Sequence, residues 1–354
     1  MKYSKVGLIA SLIGAGMANP AAAQTNVTIY GVVDTFMTNI HATGMPSVTR
    51  MDASGLYASR LGFKGTEDLG DGLKANFVLE SGFNSQDGSQ ADSNRLFNRQ
   101  SWVGLSSPWG EFRLGRQNTP QFYMNGKFDA FGGTTQASGW NNMFGATLRV
   151  DNAIGIFSPD MNGFKVQGLF GRGAIAGGTP LPEVSGNNNL HLAAEYEKGA
   201  FYAGINYEEI SNTALAYEAK RTAAGTSYRI NDQWKVFAAI DREIATDNSI
   251  DSNLYSVSAL YSFTPVSSLA FGYAATRDHV TGKGHGNAAE PSVLYRYMLS
   301  KRTTLYSGYS HLKQQDNRNS FVLGGAAVVQ SAARVAAVPG GTINGLQLGI
   351  VHFF

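Results

Sequence analysis

No cysteine occurs anywhere in the 354 residues. That absence excludes thiol nucleophiles, thiolate metal sites and disulfide staples, so the fold must hold together without covalent cross-links. Charge is scarce as well, at 15% of residues, and the surplus of 28 basic over 26 acidic side chains comes from Lys2 and Lys5. Beyond them the chain is formally neutral. A nucleic-acid binder needs a basic face to displace counterions, so no nucleic acid is expected as a partner. Long hydrophobic runs are missing too: nothing past the first segment approaches the ~18 apolar residues of a membrane helix. The mean hydropathy of −0.16 alone suggests a soluble protein. Periodicity contradicts it.

The first segment carries Lys2 and Lys5, then a short apolar stretch from Val6 to Met17, then Ala21, Ala22 and Ala23. This is the pattern of a secretory signal, with residues 1–23 cleaved and a single domain over 24–354. The apolar stretch is too short to anchor the chain comfortably in a bilayer.

What is abundant is glycine, at 42 residues, and aromatics, at 11%, arranged in short alternating runs. In the stretch Leu269 to Ala275 bulky residues hold odd positions and tiny ones even positions. Phe201, Ala203, Ile205 and Tyr207 alternate with Tyr202, Gly204 and Asn206. Tyr255, Val257, Ala259, Tyr261 and Phe263 alternate with Ser256, Ser258, Leu260 and Ser262, and Val236, Ala238 and Ile240 with Lys235, Phe237, Ala239 and Asp241. A period of two marks strands with one apolar face. A soluble sandwich would show charged residues on its other face. Here that face is rich in Gly, Ser, Asn and Ala, as in a wall lining a wet lumen, and the apolar face carries the Tyr and Phe of aromatic girdles. In lipid every backbone amide must be paired, so such a sheet must close on itself.

Strands are expected at 27–38, 57–67, 72–85, 94–107, 109–118, 150–158, 163–172 and 189–196 in the first half. The second half gives 201–209, 214–229, 234–245, 251–263, 267–277, 290–299, 303–314 and 342–354. That makes an all-β, sixteen-stranded antiparallel transmembrane barrel, and barrels of that size leave an aqueous channel. Short connections at Asp71-Gly72, Pro108-Trp109, Asn231-Asp232 and Lys301-Arg302 are expected as periplasmic turns. Long ones at 39–56, 173–188, 278–289 and 315–341 are expected as extracellular loops. About thirty residues between Gln117 and Arg149 alternate weakly and contain Gly126, Gly132, Gly133, Gly139 and Gly145. A structureless loop of that length suggests a function.

The segment Thr28-Ile29-Tyr30-Gly31-Val32-Val33-Asp34 resembles the first strand of Gram-negative general porins of the neisserial and β-proteobacterial type. Ser59 to Gly70 (SRLGFKGTEDLG) is the most specific match. Arg99 to Leu105, Gly110 to Gln117 and the terminal His352-Phe353-Phe354 add to it. The resemblance implies an outer-membrane homotrimer and a passive channel for small hydrophilic solutes and ions, with the third extracellular loop folded inward. It also implies that Phe354 is an assembly signal for the barrel-assembly machinery. Related porins carry an acid just before Phe-Gly-Gly in that loop; here Asp129 stands one place further off, before Ala130.

Parity picks the candidate channel residues. Leu61 and Phe63 share one face, so Arg60 and Lys64 share the lumenal one. Ile154 and Ile156 face lipid, which puts Arg149 and Asp151 inside. Counting from Val103 and Leu105 would place Arg99 in lipid, where a charge costs roughly 2–4 kcal/mol, so a register with Trp102 outward is expected instead. Arg116 reaches the lumen only if Gly115 bends the chain, whereas Arg113 has lumenal parity without help. The expectation is a constriction lined by Arg60, Lys64, Arg99, Arg116 and Arg149, facing Asp129, with weak anion preference.

Catalysis is not expected. None of His41, His191, His279, His285, His311 and His352 has a Ser or Asp at motif-like spacing, and no nucleophile elbow is present. The run Gly171-Arg172-Gly173 lacks the context of a phosphate loop. His279 and His285 beside Asp278 are read as solvated rather than metal-binding, so neither cofactor nor metal is expected. The rival readings are a substrate-specific channel or adhesin, and an outer-membrane protease or lipase.

Overall fold

The structure, a computed structural model, describes residues 26–132, 135–145, 147–172, 175–176, 179–180, 188–212, 217–280, 286–315, 321–324 and 337–354. The expected signal at 1–23, Gly133, His285 and much of the loops expected at 173–188 and 315–341 lie outside these residues.

The chain opens with β1 (Asn26–Ala42), β2 (Val48–Ala53), β3 (Arg60–Gly70), β4 (Leu73–Gly82), β5 (Gln100–Ser107) and β6 (Gly110–Asn118). Two short helices, α1 (Pro120–Phe128) and α2 (Gly139–Met143), precede β7 (Arg149–Phe157) and β8 (Phe164–Arg172). A minimal hairpin of β9 (Ile175–Ala176) and β10 (Thr179–Pro180) stands apart from the main sheet. Then follow β11 (Asn188–Lys198), β12 (Phe201–Asn212), β13 (Tyr217–Arg229), β14 (Trp234–Ala245) and β15 (Asp251–Thr264). The last four are β16 (Ser267–Asp278), β17 (Ala288–Met298), β18 (Thr303–Gln314) and β19 (Thr342–Phe353).

Every neighbour in the main sheet is antiparallel, and β8 pairs directly with β11. The sheet closes where β1 meets β19, from Val32 opposite Phe353 to Ala42 opposite Ile343. The other edge of β1 pairs with β3 over Asn26–Val32 and with β2 over Thr35–Ile40. β2 and β3 are thus one stave with a break, and the wall is a closed barrel of sixteen staves. Closure leaves no unpaired edge, which lipid demands.

The alternation decides which face is which. Ile154, Ile156, Leu346, Leu348, Ile350, Tyr255 and Val257 are exposed on one face, while Asp34, Glu208, Arg221 and Gln347 are buried on the other. An exposed apolar band of this extent is stable only against acyl chains, so that face is the outside. Tight turns close one end. At Asp71-Gly72 both residues have positive φ, 51° and 79°, the pairing a two-residue hairpin requires.

Three strand boundaries differ from the periodicity. β1 runs on to Ala42 and β2 occupies 48–53, so most of the expected 39–56 loop is strand. The signal was hidden because the outward residues there are polar: Asn39 Nδ2 donates to Thr49 Oγ1 at 2.7 Å across the outer face. The break at 54–59 wraps around the carboxylate of Asp34, which is fully buried. It accepts the backbone N–H of Gly55, Leu56 and Tyr57 at 3.1, 2.7 and 2.8 Å and the Tyr306 hydroxyl at 2.5 Å. Asp34→Ala would orphan four buried donors. It is expected to lower unfolding stability by about 3 kcal/mol or more, seen as a lower urea midpoint for loss of the gel-shifted folded form. Finally, β5 starts at Gln100 rather than 94. The preceding turns are pinned instead by Asn98 Oδ1, which accepts the Gly82 N–H at 2.7 Å.

Candidate channel constriction

The segment between β6 and β7 is not structureless. Thr119 caps α1 by accepting the Phe122 N–H, and Pro120 supplies the preset φ of the first helical position. Ser138 caps α2 by accepting the Asn141 N–H. The two ends of the segment meet where the Thr119 N–H donates to the Leu148 carbonyl at 3.1 Å.

This loop packs on the inner face of β11–β18, and tiny residues in the wall make room for it. A Cβ at Gly204 would stand 2.4 Å from Met124 Cε, one at Gly225 2.3 Å from Phe128 Cδ1, and one at Gly272 2.8 Å from the Phe131 ring. Met124, Phe128 and Trp140 are buried in a cluster with Ala193, Tyr202, Ala223, Ala239 and Ala274. Burial of each large side chain contributes roughly 1.5–3 kcal/mol. The small residues at alternate strand positions therefore serve two purposes. Some line water, and those of β12, β13 and β16 seat the loop.

Polar latches fix it. Arg296 of β17 donates to the carbonyls of Ala130 and Phe131 at 3.2 and 2.7 Å. Glu290 accepts both bonds of the Asn142 amide at 2.8 and 3.0 Å, and Glu208 accepts the Thr147 N–H at 3.2 Å. Lys127 reaches Glu195 and Glu197 at 3.0 and 2.9 Å. Desolvation by itself would lower that ammonium's pKa, but the two carboxylates outweigh it and raise it.

Asp129 belongs to this set of latches, which corrects the expectation that it faces the basic residues. It is fully buried; one oxygen accepts the Ser138 hydroxyl, the other the Ser258 hydroxyl at 3.2 Å and the Phe131 N–H at 3.3 Å. Burial pushes its pKa above the ordinary carboxylate range. Standing at the end of α1, before Ala130-Phe131, it turns to the wall and leaves the loop with no acid facing the opening.

On the opposite wall the basic residues gather. Glu80 of β4 takes Arg99 Nε at 2.7 Å, Arg60 Nε at 3.5 Å and the Tyr30 hydroxyl at 2.9 Å. Asp151 of β7 takes Arg116 and, at 3.1 Å, Arg95, which also holds Asp92 at 2.8 Å. Arg149 stands within electrostatic reach of Arg99, Arg116 and Arg60, with its guanidinium 5.2 Å from the Phe122 ring centre and no carboxylate bound to it. Five guanidiniums thus meet three carboxylates. Glu80, Arg95 and Asp92 were missed from sequence. Glu80 had a usable signal, as a lone acid after Phe77, Val78 and Leu79 in a strand with a lipid face.

Of the expected set, Arg60, Arg99, Arg116 and Arg149 come together and Lys64 does not. Lys64 lies four residues along β3 from Arg60, roughly 13 Å away, with its ammonium 5.4 Å from the Tyr30 ring centre. Arg116 turns inward through a register shift between Gly115 and Gln117, where Gly115 has φ of +124°. The reason for Arg99 is different from the one expected. Trp102 faces inward, bonding Gln100 at 3.1 Å, while Val103 and Leu105 face out. Arg99 nonetheless points inside because it precedes the first regular residue of β5, where Asn98, Arg99 and Gln100 are all buried. Arg113 faces inward, sandwiched 4.3 Å from the Trp102 ring and 4.2 Å from the Phe157 ring, and paired with Glu111.

The acids balancing this wall lie beneath the loop. Arg221 of β13 is surrounded by Glu208, Asp241 and Glu243, with Phe144 of the loop packed 5.1 Å above its guanidinium. Positive charge therefore borders the opening while much of the negative charge is covered. Phe354 sits at the barrel seam, its backbone bonded both ways to Gly31 at 3.0 and 3.1 Å and its ring exposed over that glycine.

Known proteins are similar to this chain in sequence and in fold. The Gram-negative porin family model matches residues 9–317. Outer membrane porin protein 32 of Delftia acidovorans is 31% identical over the full length of both chains. Major outer membrane protein P.IB of Neisseria meningitidis is 28% identical, over 86% of this chain and 93% of that one. Among solved structures, an anion-selective porin from Comamonas acidovorans superposes with a TM-score of 0.76 at 26% identity, covering 94% of this chain and all of the other. A sixteen-stave barrel, apolar outside and polar within, with these relatives, is an outer-membrane diffusion channel: the chain belongs to the Gram-negative porin family.

Proposed function

We propose that this porin passes small hydrophilic solutes and ions passively, without a catalytic step, and weakly prefers anions. The observation that carries the preference is the excess of guanidiniums over carboxylates beside the opening, combined with the burial of Asp129 in the loop latch. A surplus of fixed positive charge in a narrow wet pore lowers the energy of anions relative to cations. The anion-selective structural relative favours the same reading. Arg60, Arg99, Arg116 and Arg149 carry the preference, and Lys64 contributes from a separate level. Residues 1–23 are removed on export, and the exposed terminal Phe354 is offered to the barrel-assembly machinery.

The barrel works as a homotrimer. Supporting this, β1, β2 and β19 present Thr35, Asn39, Thr49, His41 and Asn344 outward, where a lipid-facing wall would carry apolar residues. The rival reading of a substrate-specific channel predicts saturable flux; this pore is expected to give linear current.

The test of selectivity is the reversal potential of the reconstituted channel across a potassium chloride gradient. A sign showing chloride as the more permeant ion is expected, and clear potassium preference would reject the proposal. In the same measurement Lys64→Gln is expected to shift the potential by less than half as much as Arg149→Gln, because screening over about a Debye length of 8–10 Å separates Lys64 from the cluster.

A further inference from the structure

Beneath the root of the inward loop lies a block of polar side chains that the latches leave mostly unused. His191 of β11 stands opposite Glu208 of β12, and Ala193 stands opposite Asn206. His191 and Asn206 are therefore diagonal neighbours on the inner face, within reach for side chains of this length. Asn189 lies one inward step further along β11. All four polar residues are buried, at 1% exposure or less. Yet neither ring nitrogen of His191 has a hydrogen-bond partner among the described residues. The same holds for both polar atoms of the Asn206 side chain and for Asn189 Oδ1. Buried polar atoms in that state are destabilising unless something bonds them.

The loop comes down on this block. The Thr147 N–H donates to Glu208 at 3.2 Å, and the Thr147 carbonyl accepts the Thr119 hydroxyl at 2.9 Å. That pair brings the first turn of α1 over the strands. There Gln121 is fully buried, and its Oε1 is also without a partner.

Electrostatics select the occupant. Glu208, Asp241 and Glu243 surround a single guanidinium, that of Arg221, which leaves two negative charges in excess. His191 lies within electrostatic reach of both Glu208 and Arg221. Glu208 holds Arg221 Nη1 loosely, at 3.4 Å, so lone pairs remain on its carboxylate. Water would satisfy the orphaned atoms and leave the charge in place. A divalent cation answers both, and a neutral imidazole favours a transition metal over calcium or magnesium.

We propose that this block binds one divalent transition-metal ion of the zinc class. Its protein donors are a ring nitrogen of His191, the Glu208 carboxylate and Asn206 Oδ1, with water in the fourth position. Gln121 and Asn189 supply acceptors for that water. The ion ties β11 and β12 to the root of the loop. This departs from the expectation that no metal binds; donors on facing strands leave no spacing motif in the sequence. The site shares no residue with the arginine wall and does not depend on the anion preference.

The test titrates the purified, chelator-stripped porin in detergent with zinc(II) against a fluorescent chelator. One equivalent per chain is expected, and calcium at equal concentration should not displace it. His191→Asn is expected to weaken binding about 100-fold, since even a residue behind a ligand is worth about 10–100-fold. His279→Gln, at an exposed position, should change binding by less than about two-fold. Zinc-edge anomalous diffraction from soaked wild-type crystals locates the ion without any variant, and a peak about 2.1 Å from a His191 ring nitrogen is expected. The proposal is overturned by the absence of stoichiometric zinc uptake, by equal uptake in His191→Asn, or by displacement with calcium. Water alone at the block in the soaked crystals overturns it as well. Wild-type single-channel conductance in His191→Asn shows the barrel intact, which separates failure of this site from failure of the channel reading.

Discussion

Arg149→Glu is expected to abolish the anion preference, bringing the reversal potential in a chloride gradient close to zero. The substitution changes five guanidiniums against three carboxylates into four against four. Arg149 is the position of choice because it makes no ion pair, so its removal strands no buried partner. Arg99→Glu would instead set two acids face to face at Glu80, 5% exposed, and destabilise the wall. The new carboxylate at 149 finds Arg99 and Arg116 within electrostatic reach, so the fold is expected to survive. Retention of the full wild-type potential would show that selectivity is set elsewhere.

Replacing residues 121–143 by a short glycine-serine link is expected to raise single-channel conductance roughly two-fold or more, since a sixteen-stave barrel is wide enough to conduct freely once unplugged. The ends at Thr119 and Leu148 are already joined by a backbone hydrogen bond, so the link need not strain them. A second effect should accompany the first. The deletion removes one acid and one base, Asp129 and Lys127, but frees Glu195, Glu197 and Glu290 on the wall against the cation Arg296. Current should therefore grow and shift toward cations together. Unchanged conductance would mean that the loop does not occlude the pore. The milder Gly225→Leu places a side chain where the Phe128 ring now sits and should displace the loop in the same direction with a smaller gain.

The barrel was legible in the sequence because lipid imposes a strict rule: one face apolar, period two, edges closed. Ile154 and Ile156, or Leu61 against Arg60, obey that rule and were placed correctly from parity alone. Legibility failed wherever a residue answered to a tertiary partner. Asp34 breaks a stave because four donors converge on it from the 54–59 turn and from β18. Arg99 escapes parity because the chain before β5 is irregular. Trp102 is expected outward and faces inward instead: its indole stacks on Arg113 and bonds Gln100 inside the wall, whereas an interfacial tryptophan would look the same in sequence. Arg116 was legible only conditionally, through the bend that Gly115 supplies. Asp129 was the costliest misassignment: its role follows from Ser258, 129 residues away, and no local pattern announces that contact.

The measurement that bears most directly on the channel itself is swelling of liposomes containing the purified protein, in a series of uncharged sugars of increasing size. The structure predicts rates that fall steeply with molecular size, show no saturation with concentration and vanish for large oligosaccharides. Swelling no faster than in protein-free liposomes, or a rate that saturates for one sugar alone, would contradict a continuous water-filled passage.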